Sequence, residues 1–201
     1  MSDRKPIEHG VFEEIEDANR YDKESRYWNW SALRSFTAAA QRWGISSGKV
    51  LDVGSGSGTL AIAFAGRFPG VEVTGLDLSD ITLKMAGDNV KNSDVSSRVS
   101  FEKGDAEDMP FECSTFNLVI SSSTLHLLRN PLSMFDEIQR VLKPDGRFFI
   151  NDYRRSWLGA FSPHIKACYS PKEVKDLLNQ SKLQNWRVKS GLFWLNIFSG
   201  E

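Results

Sequence analysis

The chain has 201 residues, with 25 Lys and Arg against 26 Asp and Glu and a formal charge of −1. That is the size of one sizeable α/β domain, long enough to bury a core without staples, and its balanced charge argues against a nucleic-acid polyanion as the main partner while leaving a local basic patch open. Cys113 and Cys168 are far apart and outside any C-x-x-C spacing, which argues against a zinc site or a disulfide framework and fits a reducing cytoplasm. No stretch approaches the ~20 apolar residues of a membrane span, and the polar start Met1-Ser2-Asp3-Arg4-Lys5-Pro6 is not a signal peptide.

Residues 1–45 are polar and aromatic by turns. Within them Ser31–Trp43 is expected to be a helix, with Ala32, Leu33, Phe36, Ala39 and Ala40 on one face and Ser31 capping its start. A strand–helix rhythm follows. Lys49–Val53 is a short apolar strand ending in glycines, and Thr59–Phe68 is a helix closed by Pro69-Gly70. Val71–Leu78 reads as the second strand and Ser79-Asp80 opens a helix to about Asn92. Val99–Glu102 is the third strand. Phe116–Ser121 is the fourth, its continuous apolar centre pointing to burial on both faces. Pro131 opens a helix to Leu142, Lys143-Pro144-Asp145-Gly146 turns the chain, and Arg147–Tyr153 is the fifth strand. Pro171 opens a last helix to about Gln180, and Trp186–Lys189 with Leu192–Phe198 forms an antiparallel hairpin at the sheet edge.

Strands alternating with helices of this length imply βαβ units, hence an α/β, Rossmann-like, doubly wound and mostly parallel sheet of about seven strands. The expected organisation is a single domain over 1–201: a helical arm or lid over 1–45, a cofactor-binding core over 46–153, and a lid segment, last helix and hairpin over 154–201.

The most informative segment is Asp52-Val53-Gly54-Ser55-Gly56-Ser57-Gly58-Thr59, placed between a strand and a helix. Glycines there allow positive φ and close approach of a ligand to the backbone, and the helix start behind them offers unpaired N–H groups suited to a carboxylate or phosphate. Nicotinamide and flavin proteins use G-x-G-x-x-G. Here the spacing is Gly54-x-Gly56-x-Gly58 with Thr59 in place of a third dinucleotide-type glycine, and Asp52 precedes it.

This segment resembles the first motif of class I S-adenosylmethionine-dependent methyltransferases. Further segments fall in that family's order: Leu76-Asp77-Leu78-Ser79, Gly104-Asp105-Ala106-Glu107-Asp108-Met109-Pro110-Phe111, Phe116–Ser121, and Arg140-Val141-Leu142-Lys143-Pro144-Asp145-Gly146-Arg147. The likeness runs from about residue 45 to 153 and is nearest to the small members that often act on small molecules. It implies S-adenosyl-L-methionine as cofactor and S-adenosyl-L-homocysteine as product. Asp52, Gly54, Ser55, Gly56 and Gly58 would hold the methionine end and Asp77 the ribose diol. Asp105 with the Ala106 backbone would meet the adenine edge, Leu78 and Met109 its ring, and Ser121 would lie at the cofactor end of the fourth strand. Tyr21 in the N-terminal arm would approach the methionine end, with Tyr27 second. The fourth strand ends in Ser121-Ser122-Ser123-Thr124 rather than the Asn/Asp-Pro-Pro-aromatic motif of enzymes that methylate amide or base nitrogens. Asn117 stands where many relatives carry an acid, at the strand start and away from the cofactor face.

Methyl transfer from a sulfonium is an in-line displacement in which positioning supplies much of the rate. His126 follows the fourth strand at the rim where open α/β sheets bind ligands, and is a candidate general base or substrate donor against the plainer reading of a locally packed histidine. Asp152 and Tyr153 end the fifth strand and also face the rim. Arg154 and Arg155 read as a solvated surface pair in preference to an anion site. Tyr21, Tyr27, Trp28 and Trp30, with Ser156–His164, are expected to form a lid, Trp30 and Phe36 being ordinary core. The two distant cysteines speak against arsenic methylation, and His9, His126 and His164 have no ligand spacing, so no metal is expected. The leading expectation is transfer of a methyl group to a small molecule. A nonenzymatic cofactor-binding partner or sensor module and a nicotinamide-dependent dehydrogenase remain as rivals.

Overall fold

The computed structural model describes residues 14–157 and 162–200. Seven strands form one sheet: β1 (Ser47–Val53), β2 (Gly70–Asp77), β3 (Val99–Lys103), β4 (Phe116–Ser122), β5 (Leu142–Tyr153), β6 (Trp186–Ser190) and β7 (Trp194–Ser199), in the order β3-β2-β1-β4-β5-β7-β6. The first five run parallel, and β7 lies antiparallel between β5 and the edge strand β6. This is the Rossmann-like sheet with a C-terminal hairpin that the strand–helix rhythm predicts.

Adjacent residues on the central strands serve opposite faces, as the two-residue strand period requires. Leu51 and Val119 enter a core shared with Met134, Phe135 and Ile138 of α4 (Pro131–Val141) and with Val174 and Leu178 of α6 (Pro171–Leu178). Val50, Leu118 and Ile120 enter the other core, against Phe36 and Ala40 of α1 (Ile15–Arg42) and Phe64 of α2 (Thr59–Arg67). Burial on both faces explains why β4 reads as an unbroken apolar run. α3 (Asp80–Lys91) is capped by Ser79, whose hydroxyl accepts the Thr82 N–H, and a short α5 (Pro163–Ala167) precedes α6.

The structure corrects the sequence reading in three places. The first helix begins at Ile15, so Ser31 lies mid-helix and its carbonyl accepts the Ser35 hydroxyl at 3.2 Å instead of its side chain capping a start. Aromatic and charged residues intermixed over 15–30 hide the helical period there. Trp30 is 55% exposed, one turn before the buried stripe, and carries the Arg34 guanidinium over its ring at 4.9 Å; Phe36 is core as expected. The fifth strand starts at Leu142, because Leu142 pairs with Phe116 before residues 143–146 bulge out and pairing resumes between Arg147 and Leu118.

Candidate active site at the carboxyl ends of the parallel strands

The chain order places β1 between β2 and β4, so the connections from β1 and β4 leave in opposite directions and open a crevice at their carboxyl ends. The glycine loop fills one wall of it. Gly54, Gly56 and Gly58 have φ of 72°, 54° and 75°. A Cβ on Gly54 would lie 2.1 Å from the Thr124 hydroxyl oxygen, so the loop packs directly on the segment after β4. A Cβ on Gly56 would meet nothing within 4 Å, so at this point the backbone faces open space.

Carboxylates surround the loop. Asp77, at the end of β2, accepts the Gly56 N–H at 2.7 Å through one oxygen and the Ser79 N–H and Thr82 hydroxyl through the other at 3.0 and 2.8 Å. Asp52, at the end of β1, is 1% exposed, and neither carboxylate oxygen has a hydrogen-bond partner. Burial, and then the charge of Asp77, push its carboxyl up to about 7. Asp22, from α1, receives the Ser57 hydroxyl and lies 3.4 Å from that of Thr59 at the start of α2. Asp105 is exposed at the same rim: the neighbouring Gly104 N–H donates to the Asp77 carbonyl at 3.0 Å, and the Asp105 carboxylate accepts the Glu107 N–H at 2.9 Å. Leu78 is 46% exposed beside Asp77, and the side chain of Ala106 is buried. Met109 is 3% exposed and belongs to the core. Ser121 is fully buried and donates to the carbonyl of Val53, the residue before the glycine loop, at 2.9 Å. The Ser55 hydroxyl is buried without a partner.

The second wall begins two residues after Thr124. His126 sits in a single 3-10 turn (Leu125–Leu127), and its Nδ1 lies 2.6 Å from the Asp152 carboxylate, which also accepts the backbone N–H of His126 and of Tyr153. Both side chains are buried, at 1% and 2% exposure. Three donors converge on one carboxylate, which fixes the imidazole in place. The Tyr153 ring meets His126 edge-on at 5.7 Å and stacks on Trp194 at 4.8 Å; burial raises the phenol's pKa, against the opposing hydrogen bond with Ser123. The three residues picked from sequence as catalytic candidates therefore form one cluster.

Arg154 and Arg155 are neither a free anion site nor a solvated pair: Arg154 donates to the Gly191 carbonyl at 2.8 Å and Arg155 is paired with Glu173. Asn117 lies at the start of β4, as expected, where it accepts from the Lys49 N–H and Lys143. The side chains of Tyr21, Tyr27, Trp28 and His164, together with residues 1–13 and 158–161, fall outside the described residues. Among the described residues no acid, histidine and cysteine cluster could hold a metal ion, and no helix is long and apolar enough to cross a membrane.

Sequence reasoning missed Asp22, Thr82, Thr124 and Trp194. Asp22 adjoins Tyr21 and so had a positional signal; Trp194 had none, since its role comes from the Tyr153–Trp194 pairing across β5 and β7.

A family model described as a methyltransferase domain matches residues 46–191. The chain is 34% identical to the demethylmenaquinone methyltransferase of Lactiplantibacillus plantarum over 69% of this chain and 59% of that protein. It is 33% identical to the 27-O-demethylrifamycin SV methyltransferase of Amycolatopsis mediterranei over 52% of this chain and 38% of that protein. The chain thus spans less than two thirds of the length of these relatives. The solved structure of a SAM-dependent methyltransferase from Aquifex aeolicus shares the fold, with a TM-score of 0.74 at 21% identity, covering 92% of this chain and 97% of that one.

Proposed function

The chain belongs to the methyltransferase-domain family, and from that premise we propose that it transfers the methyl group of S-adenosylmethionine to a small molecule bound at the crevice rim, in the cytoplasm. The observation that carries this reading is the acidic lining of the glycine loop. Asp52 and Asp77 lie against it, and Asp52 is buried with both oxygens unpartnered. Such a lining suits a ligand with cationic groups and opposes the pyrophosphate of a dinucleotide, whose two negative charges would lie among these carboxylates.

The cofactor supplies an activated methyl on a sulfonium. The residues present fit it. Gly56 leaves its backbone open for close approach, the buried Asp52 carboxylate and Ser55 hydroxyl hold unused hydrogen-bonding capacity at the glycine loop, and the Asp77 oxygen that accepts only the Gly56 N–H keeps a lone pair for a ribose hydroxyl. Leu78 offers exposed apolar surface and Asp105 a carboxylate for the adenine end. The names of two relatives, for demethylmenaquinone and 27-O-demethylrifamycin SV, support a small-molecule acceptor.

His126 is the base in this proposal. Asp152 is a positioning residue: it holds Nδ1, which leaves Nε2, buried in this structure, as the nitrogen to take the acceptor's proton. Tyr153 and Trp194 make the aromatic wall beside it. The imidazole–carboxylate pair at the strand ends supports the enzyme over a nonenzymatic sensor module. Incubation with methyl-labelled cofactor and a metabolite extract is expected to move label into an extractable small molecule. Binding of cofactor with no label transferred under any extract would favour the sensor instead.

A further inference from the structure

The α2 start has no acid and no side-chain cap of its own: its N-cap is Gly58, and the first turn of this nine-residue helix carries no Asp or Glu. The charge it lacks arrives from elsewhere in the chain. Asp22 of α1 places its carboxylate on the Ser57 hydroxyl, with the Thr59 hydroxyl 3.4 Å away and the two hydroxyls 2.9 Å from each other. Ser57 is 9% exposed, so this is an enclosed contact, and Asn89 pins the Ser57 carbonyl at 2.9 Å.

We infer that Asp22 is a stand-in for the cofactor's carboxylate, an autoinhibitory contact that must be released before the methionine end can seat. The inference rests on the cofactor reading above. A carboxylate delivered to the glycine loop would seek the same helix start and the same two hydroxyls, because these are the donors that the Asp22 carboxylate takes up. Two carboxylates cannot share them without strong like-charge repulsion. The segment that must yield is the part of α1 that carries Asp22, where Ala18 is the buried apolar residue among the described side chains, whereas Ala32, Leu33, Phe36, Ala39 and Ala40 hold the C-terminal half in the core. Asp22 thus holds the strap against the glycine loop, and the cofactor's apparent affinity is reduced by the fraction of molecules in which that contact is made.

The sign of one substitution decides the matter. An Asp22 that competes weakens binding, so Asp22→Asn tightens it; an Asp22 that receives the cofactor's ammonium strengthens binding, so Asp22→Asn loosens it. The test measures affinity of the full chain for S-adenosylhomocysteine and for methylthioadenosine, which has the nucleoside but no amino-acid end. The expected result is about three- to tenfold tighter binding of S-adenosylhomocysteine by Asp22→Asn, with methylthioadenosine unchanged, which also shows that the variant is folded. Looser or unaltered binding of S-adenosylhomocysteine overturns the inference, and so does equal tightening of both ligands. Failure of the wild-type chain to bind either ligand would instead count against the cofactor reading.

Discussion

Asp77 at the end of β2 grips Gly56 in the loop after β1, its carboxylate accepting the amide hydrogen at 2.7 Å across 21 residues of chain. The same residue's carbonyl holds Gly104, next to Asp105, at 3.0 Å. The first three strand ends are thereby tied into one rim, with the glycine loop and both aspartates on the same side. A nucleoside could not bridge them otherwise.

The loop glycines should separate binding from folding. A Cβ at Gly58 would lie 2.3 Å from the Phe101 ring, whereas at Gly56 it would point into open space. Gly56→Ala is expected to cost only about 1 kcal/mol, from its left-handed backbone, and to weaken cofactor binding at least tenfold by intruding on the ligand. Gly58→Ala should cost about 2 kcal/mol or more through overpacking. Thermal melts and calorimetry on both variants check the contrast.

Asp52 makes stability and binding respond to pH in opposite senses. Its folded-state value of about 7 lies above the ordinary 3.8. Between those values the native chain keeps a proton that the unfolded chain has released, so this group's stabilisation is full below about pH 4 and is lost as pH rises through 7, by an amount on the order of 4 kcal/mol at most. A cationic ligand favours the ionised form, so cofactor affinity should rise with pH up to about 7 and level off above it. Asp52→Asn should abolish both slopes; calorimetry and denaturant melts from pH 5 to 8.5 would show it.

The imidazole and its carboxylate should act on turnover. His126→Ala is expected to lower kcat by about 10²-fold or more while changing S-adenosylhomocysteine affinity less than about threefold. Asp152→Asn, which preserves shape, should lower kcat while the melting temperature moves by only a few degrees. Loss of cofactor affinity with turnover intact would remove His126 from the chemistry.

The loop after Asp105 is held by a side-chain network. Arg140 donates to the Met109 and Phe111 carbonyls at 2.8 and 2.5 Å and pairs with Glu137, which itself accepts the Met109 N–H at 2.8 Å. Arg140 holds the Glu137 carboxyl below its ordinary range. Arg140→Ala leaves those carbonyls without their partner, so it should cost about 1–3 kcal/mol and weaken cofactor binding although Arg140 touches no ligand. Thermal melts beside a titration with S-adenosylhomocysteine test both parts.

The parallel strands were legible because strands buried on both faces must be apolar throughout, as Leu118-Val119-Ile120 are. The glycine loop and Asp77 were legible because a tight turn and a strand-end acid leave their mark in spacing. What spacing does not carry is direction. Ser121 sits at the expected strand end, yet its hydroxyl turns toward Val53. Met109 follows Asp105 by four residues, yet it points into the core because Glu137 and Arg140 hold its backbone. Arg154 and Arg155 look free until Gly191 and Glu173, distant in the chain, arrive beside them. Nor does the helical period show through the aromatic and charged residues of 15–30, so the sequence places Asp22 beside Tyr21 but not against Ser57.

Calorimetric titration of S-adenosylhomocysteine into the wild-type chain and into Asp77→Ala tests the central claim most directly. The account predicts saturable one-to-one binding by the wild type and affinity at least tenfold lower without the Asp77 carboxylate. Binding of NADH in preference to S-adenosylhomocysteine, or equal affinity in the two proteins, would contradict it.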